Sequence, residues 1–111
     1  MGKLPVGSIV FVNFPFSNLK EYKLRPAIVL ANAEFDDVIL CQITSKSYSS
    51  KTSIKIDSNS FTRGGLSTTS YVRPDKLFTI ERSIIKKQVG QLNKATINII
   101  LKRVCTLFTP K

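Results

Sequence analysis

Strand-like patterning dominates the first three quarters of the chain. Gly7–Phe14 (GSIVFVNF) is rich in β-branched and aromatic residues and is closed by Pro15. Pro26–Asn32 and Val38–Thr44 are two further apolar runs, and Ala33–Asp37 (AEFDD) between them reads as a hairpin loop, so these three segments are expected to form a central sheet. Thr52–Asp57 sets Ile54 and Ile56 between polar neighbours, the period of a half-exposed strand, and Ser67–Arg73 follows the Arg63-Gly64-Gly65 turn. Both are expected to extend the sheet. Ser45–Lys51 (SKSYSSK) reads as a basic loop rather than an interdomain linker.

The period changes near the end. After Gly90-Gln91-Leu92, Asn93 is a plausible helix N-cap, and Ile97, Ile100, Leu101, Val104 and Phe108 fall on one helical face until Pro110. Five or six short strands without a βαβ rhythm predict a mainly β fold, a small closed or nearly closed SH3-like barrel carrying a C-terminal α-helix.

The length of 111 residues matches one domain, taken as residues 1–111, and 42% hydrophobic with 22% charged residues is ordinary for a compact chain. The charge balance is not ordinary. Lys and Arg number 17 against 7 Asp and Glu, giving a net charge of +10 and an isoelectric point near 10.0. Such an excess favours polyanions, nucleic acid first, because each Lys or Arg on a phosphate releases condensed counterions. An acidic protein or an anionic membrane surface would satisfy the same charge. Apolar runs fall far short of the ~20 residues of a spanning helix, and the first residues lack a signal-peptide segment, so no membrane role and a cytoplasmic location are expected. Cys41 and Cys105 each lie in an apolar stretch and read as core residues. Histidine is absent, which excludes His-based RNA cleavage and His-containing zinc sites.

Three segments carry candidate chemistry. In Leu24-Arg25-Pro26-Ala27-Ile28-Val29-Leu30 a charge opens an apolar strand, which places Arg25 at the strand mouth. Cys41-Gln42-Ile43-Thr44-Ser45 ends an apolar strand on two hydroxyls, and Tyr71-Val72-Arg73-Pro74-Asp75 sets a guanidinium and a carboxylate two residues apart. Together with the N-terminal Gly-Ser-Ile-Val-Phe-Val and the late Val-Gly-Gln-Leu before the helix, these stretches occur in the order seen in MazF/PemK toxins. The chain resembles that family over roughly residues 5–108, with Val72–Asp75 and Thr79-Ile80 especially similar to the Kid/PemK plasmid branch.

The resemblance implies a CcdB/PemK-like barrel that forms a homodimer and cleaves single-stranded RNA to a 2′,3′-cyclic phosphate and a 5′-hydroxyl. It also implies a cognate antitoxin whose acidic tail covers the RNA site. The residues it implicates are Arg25, Thr44, Ser45, Thr69, Arg73 and Asp75. Independently, attack of a 2′-hydroxyl on its own phosphodiester needs in-line geometry, a proton acceptor and stabilisation of phosphorane charge, and it needs neither metal nor cofactor. Asp75 suits the base. Arg25 and Arg73 suit the non-bridging oxygens, and Thr44 and Ser45 suit phosphate hydrogen bonds. The Phe16–Leu24 loop lacks the glycines and histidine that some relatives carry there, and Lys20 and Lys23 are expected to supply the missing phosphate contacts. Phe14, Phe16 and Tyr22 suit base stacking, but suit core packing or a dimer contact at least as well. Two rival functions remain at this stage, a gyrase-poisoning toxin of the same fold and a non-catalytic nucleic-acid-binding barrel.

Overall fold

The computed structural model describes residues 4–15, 22–46 and 51–109, with residues 14, 15 and 22 by their backbone alone. The elements in chain order are β1 (Ser8–Pro15), β2 (Tyr22–Asn32), β3 (Asp37–Thr44), β4 (Ile54–Ile56), β5 (Phe61–Gly64), β6 (Ser70–Glu81), β7 (Ile85–Leu92) and α1 (Lys94–Phe108). The strands form one antiparallel seven-stranded sheet in the order β4-β6-β3-β2-β1-β7-β5, curled into a half-barrel with α1 packed on it. The two edge strands, β4 and β5, are consecutive in the chain. They are joined by Asp57 and the 3₁₀ turn Ser58–Ser60, so the open seam is bridged covalently.

The apolar runs of β1, β2 and β3 are buried on both faces, as strands at the centre of a wrapped sheet must be. On one face Ile9, Ile28, Cys41 and Ile43 join Ile56, Val72, Leu92 and the helical Ile100. On the other, Val10, Val12, Ala27, Val29, Val38 and Leu40 are covered by Leu4, Phe78, Ile80 and Ile85. The long strand β6 serves both cores. It contributes Val72 to the first and Phe78 and Ile80 to the second by changing its alignment midway along β3.

The helix begins where Asn93 predicts it. Its side chain accepts from the Thr96 N–H at 2.8 Å, and its Nδ2 donates to the Asn59 carbonyl at 3.0 Å, tying the cap to the seam. Ile100 is fully buried, worth about 1.5–3 kcal/mol of transfer free energy, with Ile97, Leu101 and Val104 beside it. Gly7 permits this docking: its φ is +93°, and a Cβ there would collide with the Ile97 side chain. Phe108, expected on the packed face, is 69% exposed instead, because the last turn runs beyond the sheet's cover.

The hairpin expected at Ala33–Asp37 is a tight turn. Asp37 N–H donates to the Glu34 carbonyl at 3.0 Å, and the central residues Phe35 and Asp36 have φ of 59° and 65°, the positive pair that a type I′ turn requires. Strand limits differ from the expectation in three places. β2 starts at Tyr22, so Arg25 lies inside a strand paired with Val12 rather than at its mouth. β6 continues past Pro74 to Glu81, and β5 and β7 were not anticipated. β7 (IKKQVGQL) exposes its polar residues and lacks a long apolar run, which hides it from periodicity.

Candidate functional site

The site begins with a proline. β2 pairs continuously with β1 from Ile28 back to Tyr22, but its ladder with β3 ends at Ala27↔Gln42. Pro26, the next residue, has no N–H to donate. β3 meanwhile runs on to Thr44 paired with β6 alone, through Ile43↔Val72 and Thr44↔Tyr71. The two strands therefore part, and a cleft of about 250 Å³ opens between them. Lys23, Leu24, Arg25 and Pro26 line one side, Ile43, Thr44 and Ser45 the other; Leu66, Ser67, Thr68 and Ser70 form a further wall, and Phe11 is contributed by β1.

Register decides which polar side chains share a face. Arg25 lies two residues from Ala27, which pairs with Gln42; Thr44 lies two residues from Gln42, which pairs with Arg73. Arg25, Thr44 and Arg73 thus project from one face of three adjacent strands. Thr44 is buried, and its Oγ1 accepts from the Lys46 N–H at 3.1 Å, which leaves the hydroxyl proton to donate to an anion. Ser45 and Lys23 are exposed.

The Arg73–Asp75 unit is built on an irregularity. Cys41 pairs with Leu77 and the next residue, Gln42, pairs with Arg73, so Pro74, Asp75 and Lys76 bulge out of β6. The bulge turns the carboxylate back onto the guanidinium: Arg73 Nε donates to Asp75 Oδ1 at 3.3 Å and Nη2 to Oδ2 at 3.2 Å. Beneath it, the Cys41 thiol donates to the Arg73 carbonyl at 2.6 Å. Burial, with the nearby Asp75 charge second, pushes that thiol up to about 12, so it stays a protonated donor at neutral pH.

Four of the residues singled out from sequence, Arg25, Thr44, Ser45 and Lys23, therefore meet at one cleft, with Arg73 and Asp75 on the adjoining strand. Thr69 does not join them. It lines an adjoining hollow of about 210 Å³ with Ile56, Asp57, Ser58 and Phe61, on the other side of the wall of Leu66, Ser67 and Thr68 that both hollows share, because Leu66–Thr69 form no strand and alternation does not order them. Lys20, Phe16 and part of the Ser45–Lys51 loop lie outside the described residues, as do the side chains of Phe14 and Tyr22. Sequence reasoning missed Phe11, whose place on the cleft depends on the β1–β2 pairing, and Cys41, whose contact with Arg73 depends on the bulge. A third hollow of about 240 Å³, lined by Arg63, Gly64, Gln88, Val89 and Gly90, is close to the cleft in size but has no hydroxyl in its lining, so volume alone does not mark the site. Among the described residues no three Cys, Asp or Glu side chains gather as a metal site would need, and no helix is long and apolar enough to cross a membrane.

A curled β half-barrel, backed by one C-terminal helix and opened at one end into a cationic, hydroxyl-lined cleft, defines the class of protein. The chain belongs to the PemK-like, MazF-like toxin family of type II toxin–antitoxin systems, whose model matches residues 6–108. Solved structures with the same fold include a MazE–MazF complex from Deinococcus radiodurans, 19% identical, covering 99% of this chain and 100% of that chain with a TM-score of 0.76. They also include an endoribonuclease in complex with its cognate antitoxin from a mycobacterial species, 17% identical, covering 100% and 98% with a TM-score of 0.74. The Mycobacterium tuberculosis toxin MazF-mt6 is 18% identical over 94% and 98%, with a TM-score of 0.73. No curated protein sequence matches the chain.

Proposed function

We propose that this MazF-like toxin is an endoribonuclease that cleaves single-stranded RNA without a metal ion, and that a cognate antitoxin with an acidic tail neutralises it by covering the same cleft. The reading is carried by the meeting of Arg25, Thr44 and Ser45 at the β2–β3 cleft with the Arg73–Asp75 unit on the next strand. A net charge of +10 favours both the RNA and an acidic competitor. Two of the structurally similar proteins are named as an endoribonuclease bound to its antitoxin and as a MazE–MazF complex, in keeping with both halves of the proposal. The active species is a homodimer, as the family resemblance implies.

In the proposed reaction the 2′-oxygen of one nucleotide attacks its own 3′-phosphorus. The P–O5′ bond breaks, the 2′-proton passes to Asp75, and the departing O5′ takes a proton at the Arg73 N–H edge, directly or through a water held there. The products are a 2′,3′-cyclic phosphate and a 5′-hydroxyl. Asp75 uses one lone pair of each oxygen on Arg73 and keeps a second for the 2′-hydroxyl. Arg25 supplies guanidinium donors to the non-bridging oxygens, where charge grows in the transition state, and Thr44 adds its hydroxyl. Lys23, Ser45, Thr69 and Lys20 bind flanking RNA.

The decisive experiment incubates the purified protein with a long single-stranded RNA in excess EDTA and maps the ends. Cleavage to cyclic phosphate that survives chelation, and disappears when the 2′-hydroxyl at the cut position is removed, is the expected result. Intact RNA, or cutting of the 2′-deoxy substrate, rejects the mechanism.

A further inference from the structure

We propose that Phe11 and Lys87 form a nucleotide subsite beside Arg25, in which a nucleobase stacks on the Phe11 ring and the Lys87 ammonium takes the adjoining phosphate. The proposal rests on the reading of the cleft as an RNA site and deepens it.

Phe11 is the aromatic residue that β1 brings to the cleft. Its neighbours Val10 and Val12 are fully buried in the opposite core, whereas Phe11 stays half-buried and lines the opening. On its rung of the sheet, Phe11 pairs with Pro26 of β2 on one side and with Lys87 of β7 on the other. Arg25 adjoins Pro26. With strands spaced about 4.8 Å apart, Lys87 shares the face of the Phe11 ring on the neighbouring strand, while Arg25, one residue along from Pro26 and so on the alternate face, lines the same cleft as Phe11 where the β2–β3 ladder ends. That is the arrangement that holds single strands, a π face for a base with flanking charges for its backbone.

Lys87 is already drawn to this place. Its Nζ lies 5.4 Å from the Phe11 ring centroid, a cation–π contact, while the residue is exposed and enters no ion pair among the described residues. An exposed cation–π contact is weak, so the ammonium exchanges the ring for a phosphate and bares the ring to a base. The arrangement separates two contributions: stacking on Phe11 tolerates any base, whereas the Lys87 contact depends on salt.

The test titrates the full chain with a single-stranded 2′-O-methyl oligonucleotide, which cannot be cut, carrying 2-aminopurine. For the unaltered protein, binding quenches the fluorophore. Phe11→Leu abolishes the quenching and weakens binding about tenfold with the salt slope intact. Lys87→Met retains the quenching, weakens binding several-fold at low salt, and flattens the plot of log affinity against log salt by about 0.7, one phosphate contact on a single strand. Unchanged quenching in Phe11→Leu together with an unchanged slope in Lys87→Met overturns the proposal. If Phe11→Leu does not fold, the exposed Lys87→Met decides by its slope alone. Cleavage of ordinary RNA by the unaltered chain, with both variants binding normally, rejects the subsite and leaves the nuclease. Binding with quenching but no cleavage does the reverse, and absence of any binding rejects both.

Discussion

Two arginine–aspartate pairs occupy opposite ends of the β2–β3 pair, and they differ in what they hold together. At the hairpin end Arg82 Nη2 meets Asp36 Oδ1 at 2.7 Å, across 46 residues of sequence, and the Arg82 N–H also donates to the Asp36 carbonyl at 2.9 Å. This bridge locks the tip of one hairpin to the bend between β6 and β7. At the cleft end Arg73 and Asp75 are two residues apart on one bulge, with contacts of 3.2 and 3.3 Å that join no separate elements. The first pair constrains the chain's path. The second leaves the path to the ladder and to Cys41, so its two groups can turn to a ligand with little loss of fold. The same chemistry thus does architecture at one end and, in our proposal, catalysis at the other.

The largest expected effect lies at the cleft end. Asp75→Asn and Arg73→Ala should each lower RNA cleavage by about 10²–10⁴-fold, the range for removing a positioned base or a charge-stabilising donor. For Asp75→Asn, which keeps the shape of the more exposed partner, thermal unfolding should show a stability loss below ~1 kcal/mol, because the pair is local. A variant that melts much lower while its residual folded fraction cleaves normally would reverse the assignment of the two ends.

Next in size is Cys41, the support beneath the bulge. Cys41→Ala removes a buried donor from the Arg73 carbonyl and leaves a small void, an expected cost of about 1–3 kcal/mol by denaturant unfolding, and Cys41→Ser should recover part of it. The thiol also gives a pH signature. Its folded value is raised from 9.0 to about 12, so above pH 9.0 the unfolded chain sheds a proton that the folded chain keeps. Its contribution is complete below pH 9.0 and lost as pH rises towards about 12. Over that window unfolding midpoints of Cys41→Ala should decline less steeply than those of the unaltered chain. Parallel declines would mean that the thiol is not held as described.

The contrast also shows what a sequence displays. Arg25 beside Pro26 at the head of an apolar run, Thr44-Ser45 at the foot of another, and Arg73-x-Asp75 are local features, readable before any fold is known. The central strands were readable because burial on both faces leaves long apolar runs, and the helix because Asn93 caps a 3.6-residue period. The hidden features are those made by pairing. Phe11 meets Lys87 only through the β1–β7 register, Cys41 reaches Arg73 only because β6 bulges, and Thr69 falls in the adjoining hollow because its stretch is irregular. Arg82–Asp36 was equally invisible, since neither residue stands out in its own segment.

A smaller effect is expected from Arg82→Ala. Asp36 is 71% exposed, so the bridge is screened and its loss should cost about 1 kcal/mol, a fall of a few degrees in Tm, with cleavage within twofold of the unaltered chain. A loss of cleavage without a loss of stability would show that the hairpin end communicates with the cleft.

The smallest effect concerns the turn that this bridge holds. Phe35 sits at φ 59° with 89% of its surface exposed, so it bears the steric cost of the left-handed region without the return of burial. Asparagine tolerates that region and is favoured at the first central position of a type I′ turn. Phe35→Asn should therefore raise stability by up to ~1 kcal/mol in urea unfolding, through the turn alone, and leave cleavage unchanged. In the Arg82→Ala background the gain should persist, since the ring adds nothing to the bridge. A destabilised Phe35→Asn would mean that the exposed ring is packed against something in solution. A change in cleavage would mean that the two ends of β2 and β3 do not divide their work as their ion pairs indicate.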